Sequence, residues 1–171
     1  DHRSFTATNL DLELQQGDEQ LLFRYGLELG QLDAHYSYAS SLDVSAGNPF
    51  PDSPPGLTVR QSILQPGGSQ MGAFLSGRWR MTERLTGEIG MRWDNQTWDK
   101  VDGGTQLSPR VNLRYDPDAR TQLRASWGRF HQAQAINELQ VEDGVETFFP
   151  AQRADHLILS AEHELANRMR I

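Results

Sequence analysis

Cysteine is absent from all 171 residues, which excludes a disulfide framework, a thiolate metal site and a cysteine nucleophile. No stretch approaches the roughly 18–20 consecutive apolar residues that a membrane-crossing helix needs, and mean hydropathy is -0.63, so a helical membrane protein is excluded. Basic charge is also scarce. Sixteen Lys and Arg stand against 23 Asp and Glu, for a formal net charge of -7. The arginines come singly instead of as a stripe, so nucleic acid is not an expected partner. Asp1–Phe5 carry no basic-then-apolar export signal, and the start reads as processed or cut. The five histidines lack the paired spacing of a zinc site. No serine sits in a G-x-S-x-G elbow, and no glycine-rich phosphate loop opens a helix. Catalytic residues, a metal and a cofactor are therefore not expected, and neither is enzymatic activity.

What the chain does have is alternation. From Met71 to Met81 the odd positions Met71, Ala73, Leu75, Gly77, Trp79 and Met81 are apolar or small, against Ser76, Arg78 and Arg80. Leu85, Gly87, Ile89, Met91 and Trp93 repeat the pattern against Thr86, Glu88, Arg92 and Asp94. Period two is the mark of a strand with two unlike faces. Leu107–Tyr115, Leu123–Trp127, Asp155–Leu165 and Thr6–Gln15 read the same way, with Pro109 expected near a strand start. A longer strand covers about Gln20–Ser40; its apolar phase moves from odd to even positions beyond Leu29, which predicts a β-bulge near Gly30. The sum is about seven antiparallel strands plus the beginning of an eighth, turning at Asn167 into Met169–Ile171. Ala133–Gln140 is the one stretch that reads as a short helical loop segment.

The connections alternate in length. Short turns are expected near Gly17, Glu83, Pro117 and Asn167, and long links at about Ser41–Gly68, Thr97–Gln106 and His131–Arg153. The proline-rich NPFPDSPPG at Asn48–Gly56 lies within the first link. A meander with short turns at one end and long loops at the other is the outer-membrane barrel arrangement, in which low hydropathy is no obstacle because only every second residue meets lipid. Trp79 and Tyr115 near the short-turn end, and Trp93, Trp98 and Trp127 near the other, fit two interfacial girdles. Alternation also suits a soluble sheet whose apolar face is packed against a second layer.

The residue strings resemble the TonB-dependent receptors. Leu107-Ser108-Pro109-Arg110, Asn112-Leu113-Arg114-Tyr115 and Leu123-Arg124-Ala125-Ser126-Trp127-Gly128-Arg129-Phe130 are similar to a hairpin of that family. So are Gly77–Leu85 running into Gly90–Asp94, and Leu21–Leu29 in the style of an ascending strand. The resemblance implies an all-β, antiparallel up-and-down meander that is a partial segment, roughly a third, of a plugged outer-membrane barrel of about 22 strands. The whole of residues 1–171 would be partial barrel domain, with the plug domain, the TonB-contacting segment and the remaining strands elsewhere. The implied partners are outer-membrane lipid, the receptor's own plug, TonB, and an external nutrient ligand such as a siderophore, cobalamin or a saccharide. The implied place is the cell outer membrane.

Two groups of candidate residues follow. Arg92, Arg110, Arg114 and Arg124, with Glu88 and Asp94, would face the lumen and plug, or would simply form cross-strand ion pairs. In the long link after β-strand residues 123–130, Phe130, Gln132, Asn137, Glu138, Phe148 and Phe149 are the candidate ligand contacts, since loops on a rigid scaffold are where binding usually resides. The same segment could instead only fold over the barrel mouth. Two alternatives to a receptor wall remain open at this level: a small self-contained eight-stranded outer-membrane barrel, and a soluble ligand-binding β domain.

Overall fold

The computed structural model describes residues 2–43, 57–98 and 101–165. Their strands are β1 (His2–Gly17), β2 (Leu21–Asp43), β3 (Leu57–Leu64), β4 (Gly67–Thr82), β5 (Leu85–Trp98), β6 (Val101–Asp118), β7 (Thr121–Gln132) and β8 (Gln152–His163). They form one antiparallel sheet in the order β1-β2-β4-β5-β6-β7-β8, with β3 also on β2. β3 and β4 are two halves of one strand: β3 pairs Tyr36–Asp43 of β2, and β4 pairs Leu21–Asp33. The break falls at Gln65-Pro66, where the Pro66 carbonyl still accepts the Ala34 N–H at 2.9 Å. The proline cannot donate to a ladder, so the strand is interrupted there without losing its direction.

Registers fix the faces. Along one hydrogen-bonded row lie Leu12, Leu27, Ala73, Trp93 and Leu107; along another lie Gln16, Phe23, Gly77, Ile89, Val111, Trp127 and Leu157. These side chains stand on one face, and most of its large residues are exposed, up to 73 % for Leu159. No second layer covers them among the described residues, and β1 and β8 make no pairing with each other. A single open sheet with a bare apolar face overturns both the sealed sandwich and the closed eight-stranded barrel. In water such a face and two free edges would aggregate; against hydrocarbon the face is stable, whereas the edges require neighbouring strands, because lipid cannot satisfy their backbone N–H and C=O groups.

Several expectations change. No bulge occurs at Gly30, because the β1–β2 and β2–β4 registers run unbroken through it. The phase shift is instead an exchange of surroundings. Leu21, Phe23, Tyr25, Leu27 and Leu29 share the outward face with Gln31, Asp33, His35 and Ser37 beyond them, while the opposite face turns from Arg24 and Glu28 to Leu32, Ala34, Tyr36 and Tyr38. Leu21–Leu29 is the length of one tilted crossing, about 9–11 residues; the rest of this 23-residue strand stands beyond the lipid. The same overshoot absorbs two of the expected long links: β2 runs to Asp43 and β3 starts at Leu57, while β5 ends at Trp98 and β6 begins at Val101. Pro109 lies mid-strand opposite Met91, where the β6–β7 ladder has just ended at Arg110 and Gly128. Residues 133–140 hold no α-helix, and a single 3-10 turn follows at Val141–Asp143. Asn48–Gly56 and the turn at Asn167 fall outside the described residues.

The short-turn end is built by carboxylates. Asp18 accepts the Gln20 and Leu21 N–H groups at 2.7 and 2.9 Å, and those two bonds hold its carboxyl below the usual aspartate range. Asp118 does the same for Arg120 N–H and the Thr121 hydroxyl, with the same consequence. Gly17, at φ +130°, precedes the first turn; any Cβ there would meet the Leu21 carbonyl at 2.0 Å.

Candidate functional site

The face opposite the apolar one carries the charge. β5 places Arg92 between two carboxylates: its guanidinium donates to Glu28 of β2 at 2.8 and 2.5 Å and to Asp94, two residues along, at 2.7 to 3.0 Å. Planar fork geometry suits both partners at once. Gly72 of β4 makes the room, since a Cβ on it would come within 3.0–3.3 Å of all three groups. Arg110 pairs with Glu88 at 3.4 Å and Arg114 with Asp116 at 2.9 Å. Arg124 stands directly opposite Arg114 on the neighbouring strand, within the electrostatic reach of the same Asp116 carboxylate. Thus the register sets all four predicted arginines on one face, and three of them are neutralised within the sheet.

At the far end of this face lies the molecule's one packed apolar cluster among the described residues. Ala34 and Tyr36 of β2 and Trp98 of β5 meet Ile136, Leu139, Val141 and Phe148 from the β7–β8 connection, with Leu32, Tyr38, Leu64 and Val145 around them. To reach β2 the connection crosses β6, β5 and β4, a span of about 19 Å at roughly 4.8 Å per strand. Its contact there is specific. The Tyr36 hydroxyl, on a side chain 1 % exposed, donates to the Ile136 carbonyl at 2.6 Å and accepts the Leu139 N–H at 3.0 Å. On the rim, Arg3 of β1 pairs with Glu142, and Ser62 of β3 donates to Glu146 at 3.2 Å. The Glu142 carboxyl is held below the usual glutamate range by its own backbone N–H and then by Arg3.

Between the packed residues the connection turns its polar side chains outward. Gln134 braces it, donating to the Glu138 carbonyl at 3.0 Å and accepting the Phe149 N–H at 3.0 Å; Glu138 in turn accepts the Ala135 N–H at 3.0 Å. Gln132, Asn137, Glu138 and Phe149 come together on an open cleft of about 590 Å³. The other two candidates lie elsewhere. Phe148 faces inward against Trp98, ring centroids 6.0 Å apart, so the neighbouring phenylalanines point to opposite sides. Phe130 lies beside Arg92 and Arg110 on a smaller depression of about 260 Å³, with its ring 5.2 Å from that of His156. Trp98, expected in a girdle, is buried in the cluster; Trp93 and Trp127 do stand exposed on the apolar face. Sequence reasoning missed Arg3, Glu28, Tyr36 and Glu142, although the even-numbered apolar run at Leu32–Tyr38 was the signal for Tyr36.

One bare apolar face, one charged face, short turns at one end and an inward-folded connection at the other define the wall of an outer-membrane barrel. A family model described as TonB dependent receptor-like, beta-barrel matches residues 1–155. The chain belongs to that family, and is a barrel-wall segment of a TonB-dependent receptor, a transport protein of the outer membrane and not an enzyme. No curated protein matches the chain.

Proposed function

We propose that this wall segment lines the uptake path for a scarce external nutrient, with siderophores as the leading class, and that the 133–151 connection supplies part of the outer ligand contact. The observation that carries this reading is the connection itself. It is folded onto the charged face by a core of its own, while its polar residues stand around an open cleft. A segment that only sealed the mouth would have no need of an accessible, braced rim. On this reading the apolar face meets outer-membrane lipid. Arg92, Arg110, Arg114 and Arg124 face the lumen and the receptor's plug, and TonB acts through that plug. Residues 1–171 supply one part of the wall, and the free edges of β1 and β8 pair with strands outside it. Uptake of labelled ferric siderophores by cells carrying the intact receptor tests the proposal: uptake is expected to require both TonB and the 133–151 connection. Equal uptake with that connection replaced by a short glycine-serine turn would remove the connection from ligand contact.

A further inference from the structure

Most of the strand arginines keep to one side of the sheet. Arg24, Arg78, Arg92, Arg110, Arg114 and Arg124 all stand on the charged face, alternating with the apolar rows. Arg129 and Arg153 do not. The β7–β8 ladder runs unbroken from Thr121 to Gln132. Arg129 and its partner Asp155, and beyond them His131 and Arg153, therefore share the outward face with Trp127 and Leu157.

Their height is equally particular. On β2, β5 and β6 the apolar rows end at Leu29, Trp93 and Leu107, and the next outward residues, Gln31, Asn95 and Thr105, are uncharged. On β7 and β8 the rows end at Trp127 and Leu157, and charge begins at once. This is the long-loop end, where β7 passes into the 133–151 connection and β8 returns from it. An outward arginine costs little at that level, because its head reaches the polar boundary while its stem covers apolar surface. It is also the level at which a lipid headgroup carries its phosphate.

The charges of this patch are unequal. Asp155 accepts from the Arg129 guanidinium at 2.8 Å, and it lies within electrostatic reach of Arg153 and His131 as well. One carboxylate thus serves two guanidiniums, and Arg153 is exposed. Diagonal neighbours on adjacent antiparallel strands stand about 7–8 Å apart, a gap that a phosphate gripped by both guanidinium forks would bridge. His131 is held beside them by a 3.0 Å hydrogen bond between its Nδ1 and the Ser108 hydroxyl. Trp127, one step deeper and 40 % exposed, is placed to meet the upper part of an acyl chain.

We propose that Arg129 and Arg153, flanked by His131 and Trp127, form a site on the lipid-facing side of the wall for the phosphate-bearing headgroup of an outer-leaflet lipid. The site rests on the reading that the apolar face meets lipid, and it is independent of what the receptor imports. The bound phosphate balances the second guanidinium and ties together the two strand ends from which the connection springs. The intact receptor in detergent micelles would be titrated with bisphosphorylated lipid A and with its phosphate-free counterpart, bound lipid being counted by native mass spectrometry. The phosphorylated lipid is expected to bind at least tenfold more tightly. Arg153→Gln should weaken it about fivefold and leave the phosphate-free lipid unchanged. That position is exposed and outside the packed cluster, so the fold is not at risk. Asp155→Asn should tighten binding, because a competing anion is removed. Equal affinity for the two lipids, an indifferent Arg153→Gln, or an Asp155→Asn that weakens binding as much as Arg129→Gln would overturn the site; the last would reduce these residues to an ion pair. The site and the lipid face fail separately. A receptor that holds both lipids equally keeps its lipid face and loses the phosphate site, whereas one that holds neither and stays monodisperse in plain buffer loses both.

Discussion

Tyr36 and Leu139 are 103 positions apart in sequence, and the backbone N–H of one donates to the hydroxyl of the other at 3.0 Å inside the only packed apolar cluster among the described residues. The same hydroxyl donates to Ile136, so one oxygen satisfies two backbone groups that the fold has removed from water. Tyr36→Phe leaves both unpaired, at a cost of about 1–3 kcal/mol. The expected outcome is a faster hydrogen exchange and earlier proteolytic cleavage within residues 133–151, with the strands of the barrel unaffected. Equal protection in the variant would show that packing alone holds the connection.

The lipid boundary on β2 can be tested with one substitution made twice. Leu27 and Gln31 stand on the same outward face, four residues apart. Leu27→Arg is expected to destabilise the receptor folded in vesicles by about 2–4 kcal/mol, and Gln31→Arg by about 0–1 kcal/mol, since the cost of an outward arginine falls with distance from the bilayer midplane. Urea titration of both variants measures the difference. Equal costs would mean that the apolar face does not end at Gly30.

Arg92 holds two carboxylates that would otherwise face each other uncompensated. Arg92→Met is expected to cost about 1–3 kcal/mol, a partial value because all three groups keep some contact with water. Adding Glu28→Gln should recover part of the loss. Gly72→Ala should mimic the defect without removing any charge, because its methyl group enters the space the three groups share. A silent Gly72→Ala would contradict the tight packing of the cluster.

Acid should loosen the connection. Glu142 has its carboxyl lowered in the folded protein by its own backbone N–H and by Arg3. A group with a depressed folded pKa contributes its stabilisation in full above the ordinary glutamate range, and the contribution is lost as pH falls through the depressed value. Protection of residues 133–151 is therefore expected to be flat from neutral pH down to the glutamate range and to decline below it. Glu142→Gln should already be weakened at neutral pH and show a smaller acid response.

How much of this was legible depended on where a residue stood relative to the lipid. Between Met71 and Trp93 the two faces of each strand meet opposite solvents, so alternation in the sequence reported the fold directly. Beyond Leu29 the outward face is wet and the opposite face is covered by Ile136 and Leu139. The pattern then inverted while the backbone ladder continued, and the inversion resembled a bulge. At Leu57–Leu64 and around Val101 both the hydrogen bonding and the strand persist outside the membrane, where nothing requires alternation, and so these stretches read as loop. The partnership of Phe148 with Trp98 was illegible for a different reason: period-two reasoning assigns faces along a strand and says nothing of which strand a connection will cross to.

The anchoring of the connection on β2 also sets what can be exchanged between receptors of this kind. Moving residues 133–151 alone into another barrel would set Ile136 and Leu139 against a foreign wall and orphan the N–H of Leu139. Residues 32–38 have to travel with it, along with Trp98. The transferable unit is discontinuous in the gene, and recombination at a single crossover between those stretches would tend to separate a mouth from the wall that shapes it.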